Sequence, residues 1–253
     1  MIKNNKKTKI GKILLTIIPI AAVLVAWEYA SNAGLINRAI LPAPTRVLAT
    51  FRTQLESGII EKHVIASGTR VITGFIFGSL AGIVIGILMG LIPTVDTALS
   101  GILGILRPIP IIALIPFFIL WLGIGEESKI AVIVLGSFWP VLINTAIGIK
   151  STDKKLLELA KVLNKNYAQI LINIVLPSAL TFIISGIRLA AGNALVCVVT
   201  AEMIAASSGV GYMIMFAREL SQADVMLVGV IIIGVIGFLI DRVFLSIESK
   251  LLK

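Results

Sequence analysis

Apolar runs close to twenty residues long recur along this chain, separated by short intervals in which lysine and arginine gather. That pattern leaves few folds open. In a hydrocarbon layer roughly 30 Å thick, every backbone N–H and C=O must find its partner inside the protein, so runs of this length form helices that cross the layer. Charged residues make up 14% of the 253 and apolar ones 58%, whereas a soluble domain carries about a quarter charged residues. The chain is read as an all-α membrane protein with six transmembrane helices and one domain, 1–253. The longest polar interval, 32–63, is too short to build a core of its own. A net charge of +9 does not call for nucleic acid here, because most basic residues flank apolar runs that meet membrane lipid.

The first span follows Lys3, Lys6, Lys7, Lys9 and Lys12 and occupies 13–30, where the apolar run passes Trp27 without a small-residue cleavage site. Between it and the second, the prolines of Leu41–Val47 mark a turn into an amphipathic segment. The second span, 70–92, carries Gly74, Gly78, Gly82, Gly86 and Gly90 at every fourth position. That stripe admits another backbone closely, from this subunit or from a second copy. The third, 99–122, contains Arg107, Pro108, Pro110 and Pro116 and so loses backbone hydrogen bonds; it is either a broken helix beside a pathway or a kinked packing helix. The fourth is 129–149, interrupted by Pro140. The fifth is 177–200, and the sixth is 224–247 with Gly229, Gly234 and Gly237 as packing points. Six spans put both termini on one side, with 14 of the 22 Lys and Arg, Arg107 among them. That bias makes this side the cytoplasm.

Arg188 lies near the middle of the fifth span, where a charge faces a partner or a wet cavity. It either attracts an anionic solute or pairs with a carboxylate. Asn193, Glu202, Pro108 and Pro110 complete the candidate translocation pathway, with Glu202 alternatively a carboxylate at headgroup level. His63, the sole histidine, has no cysteine or second histidine near it and reads as a surface residue, so no metal site is expected. Cys197 reads as a buried, inert thiol. No nucleophile or paired acid cluster falls within reach of one site, which argues against an enzyme. The nearest approach to a phosphate loop is Lys150-Ser151, but Ile149 and Asn144 stand where glycines are needed to curl the backbone around phosphates. The chain is expected to bind no cofactor and to rely on another polypeptide for energy.

The stretch Ser151–Pro177 interrupts the apolar pattern. Lys154, Glu158, Lys161 and Lys165 share one helical face, and Leu156, Leu159, Ala160 and Leu163 another. About ten helical residues reach only about 15 Å, half the hydrocarbon thickness, so this helix does not cross. Being too short to stand alone in water, it is expected to pack its apolar face on something. Ser151, Thr152 or Asp153 supplies the N-cap, and Asn164 and Asn166 suit a stop.

Glu158, Ala160, Asn164, Ile174, Leu176 and Pro177 follow the spacing of the EAA loop: E-A-A, three residues, G, nine residues, I-x-L-P. In this the chain resembles the membrane subunits of binding-protein-dependent ABC importers, departing at Leu159 for the second Ala and at Asn164 for the Gly. RPIPIIALIPFFILWLGIGEESK from Arg107 and AEMIAASSGVGYMI from Ala201 resemble the nitrate, sulfonate and taurine branch. The resemblance implies a type I ABC importer permease fold in which 151–166 is a coupling helix seated in a groove of a cytoplasmic ATPase. Glu158, Leu159, Ala160, Lys161, Leu163, Asn164, Ile174, Leu176 and Pro177 would form that coupling loop. It further implies an ATPase dimer holding ATP and magnesium, a second permease copy, an extracytoplasmic solute-binding protein, and a bacterial or archaeal plasma membrane. The solute would be a sulfonate, taurine, nitrate or similar anion, or alternatively a vitamin precursor such as a thiamine pyrimidine or riboflavin. The more distant alternative, an ion-coupled secondary transporter, favours inverted repeats and paired intramembrane carboxylates. Only Glu28 and Glu202 lie near span positions.

Overall fold

The computed structural model describes residues 4–251, without the side chains at 4–14, 16, 17, 161 and 251. Lys3 and Lys253 thus lie outside the described residues, as do the side chains of Lys6, Lys7, Lys9, Lys12 and Lys161. The regular elements are helices throughout: α1 (Asn4–Asn32), α2 (Pro44–Glu56), α3 (Ile59–Leu91), α4 (Pro93–Leu106), α5 (Ile111–Leu122), α6 (Glu126–Lys150), α7 (Lys154–Val162), α8 (Tyr167–Ile170), α9 (Leu176–Ala205), α10 (Val210–Glu219) and α11 (Ala223–Leu251). Two compact units emerge, Met1–Glu61 with Met213–Ile231, and Lys62–Tyr212 with Ile232–Lys253.

Among the described residues four stretches are long and apolar enough to cross a membrane singly: Ile59–Leu91, Glu126–Lys150, Tyr167–Ala205 and Ala223–Lys250. The pair α4 and α5, bent by 96°, makes a fifth when it is counted as one span. The remaining predicted span, 13–30, falls within α1. The bend settles the choice left open for the third span: it is broken, because Pro108 and Pro110 remove the donors on either side of Ile109, so the helical ladder cannot continue past Arg107, which itself keeps helical backbone angles. Pro116, inside α5, does not break it.

In the larger unit α6 stands between α3 and α9, and small residues bring both neighbours close. The five-glycine stripe of α3 faces α6 of the same chain, which answers whose backbone it admits. A Cβ added at Gly74 would lie 2.6 Å from Ile133 Cβ, at Gly86 2.7 Å from Thr145 Cβ, and at Gly90 2.6 Å from Ile149 Cβ. On the other side, a Cβ at Gly148 would meet Phe182, and one at Gly186 would meet Asn144. Ile133, Val141 and Thr145 of α6 and Ala179, Ala190 and Ala194 of α9 are fully buried in consequence. The lone Cys197 is buried as expected, in a core with Ile115, Val132 and Val198. Of the glycines expected to pack in the last span, Gly229 does, against Ile214 within the smaller unit. Gly234 meets nothing within 4 Å, and Gly237 makes only an ordinary contact with Leu195.

The fifth span starts ten residues before its predicted boundary at Pro177. A π-helical segment, Leu171–Val175, joins α8 to α9 without a break. Proline has no N–H to offer the carbonyl four residues back, and the wider turn removes the demand for that bond.

Candidate functional site

The interval between α6 and α9 is built for a short, stiff projection. Asp153 is the cap foreseen for α7, its side chain accepting the Lys155 N–H at 2.9 Å. At the other end Asn164 takes φ +51°, and the Lys165 N–H reaches back to the Ala160 carbonyl at 3.0 Å, the six-to-one bond of a Schellman stop. Asn166 does not share in the stop. It opens α8 through a reciprocal capping box with Gln169. A β-branched residue at 164 should cost about 1–2 kcal/mol for the left-handed backbone, whereas Asn164→Gly should be tolerated; melting temperatures of the purified protein would show the contrast.

The apolar residues of α7 divide in an unexpected way. Ala160 is 2% exposed, and Leu157 packs on a core of Ile149, Val175, Ala179 and Ile183. Leu156, Leu159 and Leu163 lie on the open face, Leu159 being 54% exposed, so the described residues of this chain do not supply the surface they are expected to pack on. Val162 and Tyr167 add to that open surface. Lys154 and Glu158 are exposed and form no ion pair with each other. Of the other loop residues, Ile174 and Leu176 fall at the π-helical junction and Pro177 in the first turn of α9. The Lys161 side chain is outside the description.

The pathway candidates separate. Asn193 lines a cleft of about 330 Å³ with Ile111, Ile112, Ile115, Val132, Cys197 and Thr200, so the start of α5, just after Pro110, and the middle of α9 share one cavity. Arg188 is not in it. Its guanidinium bonds Asp241 at 2.9 Å and Glu248 at 3.3 Å, the pairing foreseen as one of its two roles.

Glu202 is wholly buried within the protein. Its carboxylate accepts hydrogen bonds from Ser67 Oγ (2.8 Å), Arg70 (2.7 Å) and the Gly211 N–H (2.9 Å). Arg70 continues to Glu126 (2.8 Å through its second terminal nitrogen) and to the Ser208 carbonyl (2.7 Å), and Lys129 closes on Glu126 at 2.8 Å. This charge-balanced cluster binds α3, the start of α6, the end of α9 and the turn into α10. Gly209, at φ +114°, lies so close to Glu202 that a side chain there would strike the carboxylate. His63 also departs from its expected surface place: half-buried, its Nδ1 accepts the Gly209 N–H at 3.0 Å. Sequence reading missed Arg70 and Ser67; an arginine three residues after a serine at the edge of an apolar run was the available signal.

The two carboxylates near span positions do the same job. Within the smaller unit, Glu28 accepts the Thr45 N–H (3.1 Å) and hydroxyl (2.8 Å) at the first turn of α2. Glu202 receives the corresponding N–H of α10. Negative charge at a helix N-terminus satisfies orphan donors and meets the positive end of the dipole.

Apolar spans that leave a cleft beside a broken helix, together with a short helix holding its leucines outward, describe a membrane transport component. Residues 78–253 match the family of binding-protein-dependent transport system inner membrane components, and the chain belongs to it. A protein assigned as an aliphatic sulfonates transport permease in Bacillus subtilis (strain 168) is 41% identical across 92% of this chain and 84% of its own length. The taurine transport system permease protein TauC of Escherichia coli (strain K12) is 35% identical, over 95% and 89%. The nitrate import permease protein NrtB of Synechocystis is 32% identical, over 94% and 89%. Among solved structures, an inward-facing form of the MetNI methionine ABC transporter superposes with a TM-score of 0.65 at 19% identity, covering 73% of this chain and 92% of that one. That likeness establishes the type I importer permease fold. The chain is a multi-pass membrane protein and the transport component of its system.

Proposed function

We propose that this permease passes a small oxyanion, a sulfonate or nitrate, that an extracytoplasmic binding protein delivers, and that a separate cytoplasmic ATPase holding ATP and magnesium drives the cycle. The names of the three relatives support the class of cargo. The open leucine face of α7 carries the rest of the reading. Nine residues cannot cross a membrane and gain nothing by exposing Leu156, Leu159 and Leu163 unless another protein covers them. The bias of lysine and arginine supports a cytoplasmic position for α7 and for both termini. A second copy of the chain completes the pathway, since the ATPases of this class work in pairs.

Coupling follows from the contacts. Leu157 and Ala160 root α7 in the core formed by Ile149 of α6 and Val175, Ala179 and Ile183. A push on the open face is therefore delivered to α6 and α9 together. When the ATPases close on ATP, α7 moves with them, and the spans rock between inward-open and outward-open arrangements. The span carboxylates that an ion-coupled carrier would use are engaged, Glu28 and Glu202 at helix N-termini and Asp241 by Arg188.

Leu159→Glu and Glu158→Lys test this at exposed positions where folding is not at stake. Losing a buried anchor should weaken ATPase association about 10- to 100-fold, and uptake should fall with it, while the amount of permease in the membrane holds. Full association and uptake in both variants would refute the docking role.

A further inference from the structure

Cations within the membrane need partners; Arg242 of the last span lies over the Phe238 ring, and from residue 70 to 188 all but one have a carboxylate. Five Arg or Lys side chains belong to spans between residues 70 and 188. Arg70 pairs with Glu126 and Glu202, Lys129 with Glu126, Lys150 with Asp96, and Arg188 with Asp241 and Glu248. The fifth, Arg107, makes no side-chain hydrogen bond or ion pair among the described residues. It is the C-cap of α4, at the break where the helix turns by 96° into α5. Unlike Arg188, it is exposed.

Arg107 faces a second cleft of about 330 Å³, walled by Leu103, Trp139 and Leu142, with Ser100 and the Lys150–Asp96 ion pair on its polar side. Gly104, one turn earlier, also lines it, and an added Cβ there would meet nothing within 4 Å. Pro108 and Pro110 interrupt the helix directly after it, so the guanidinium projects from the last helical residue before the break, and broken backbone at membrane depth is tolerated where it lines a cavity. Asp96 is already engaged by Lys150 at 2.6 Å, so the charge of Arg107 is left unbalanced in the cleft, and unbalanced charges within spans mark solute pathways.

We propose that Arg107 is the residue that admits the oxyanion to the translocation pathway, its planar fork of N–H donors binding two oxygens of a sulfonate or nitrate as the solute passes the break. This rests on the reading that the cargo is an anion. Arg188, neutralised by two carboxylates, plays no part in selecting it. The role of Pro108 and Pro110 is to present the neighbouring arginine.

The test uses the complete transporter, permease with its ATPase and binding protein, in proteoliposomes with ATP inside, and taurine, ethanesulfonate and nitrate as probes. Arg107→Gln should lower the maximal uptake rate about 10- to 100-fold, the loss of a charged hydrogen bond. It should leave binding-protein affinity and the membrane abundance of the assembled complex unchanged. Arg107→Lys keeps the charge without the fork and should recover part of the rate. If wild-type complex moves none of the three probes, the cargo reading fails and the inference falls with it. If wild type transports and Arg107→Gln transports equally well, only the inference fails. A complex that loses its second permease copy in the glutamine variant would make Arg107 an assembly contact, and a defect seen only in vesicles containing phosphatidylglycerol would make it a lipid-headgroup site. Either outcome overturns the proposal.

Discussion

Arg70→Met should leave little correctly folded permease in the membrane. The Glu202 side chain is 0% exposed and has Arg70 as its ion-pair partner. Removing one member of a buried pair strands the other charge and costs about 3–5 kcal/mol, a large part of the roughly 5–15 kcal/mol that holds a typical domain together. The same substitution loosens Glu126 from α3 and frees the Ser208 carbonyl. Glu202→Gln keeps an acceptor for the Gly211 N–H and should be milder alone. Combined with Arg70→Met it should restore part of the lost stability, because the stranded charge is gone. Thermal unfolding in detergent, read as a double-mutant cycle, measures this directly; independent, additive losses would mean that the two charges do not hold each other.

Gly78→Leu should separate α3 from α6. A side chain at 78 runs into the Val134 carbonyl oxygen and lies 2.9 Å from Ser137 Cβ. Ordinary overpacking costs about 1–3 kcal/mol because neighbouring side chains give way; here the obstacle is main chain inside a helix, so the loss should exceed that range. Gly101→Ala in α4 is the matched control. Nothing lies within 4 Å of its added methyl, and a helical glycine costs roughly 0.5–1 kcal/mol relative to alanine, so melting should hold or rise. Equal behaviour of the two variants would mean that the stripe is not a packing surface.

The fold was legible where local chemistry decides it. Glycines at every fourth position announce a close crossing, and two prolines bracketing Ile109 announce a broken span. Asn164 takes the one left-handed position that ends α7. What sequence could not show depends on partners far away along the chain. Arg70 and Glu202 are 132 residues apart, and nothing in the sequence around Arg70, at the edge of an apolar run, distinguishes an internal charge from a flanking one. The leucines of α7 show the same limit. Periodicity separates Leu156, Leu159 and Leu163 from the charged face, but only the position of the core below decides that Leu157 and Ala160 turn inward. Arg107 was grouped with the flanking charges for a similar reason: proline spacing reveals the break, not the cavity beside it.

Five successive notches on α3, each filled by a ridge of α6, make the two helices a single beam with no freedom to slide. Any hinge in this unit must lie elsewhere along it, and the main chain offers one ready interruption, between Leu106 and Ile111. On the proposal made for Arg107, cargo meets the chain at that same interruption, so selection lies within a few residues of the one break in this span.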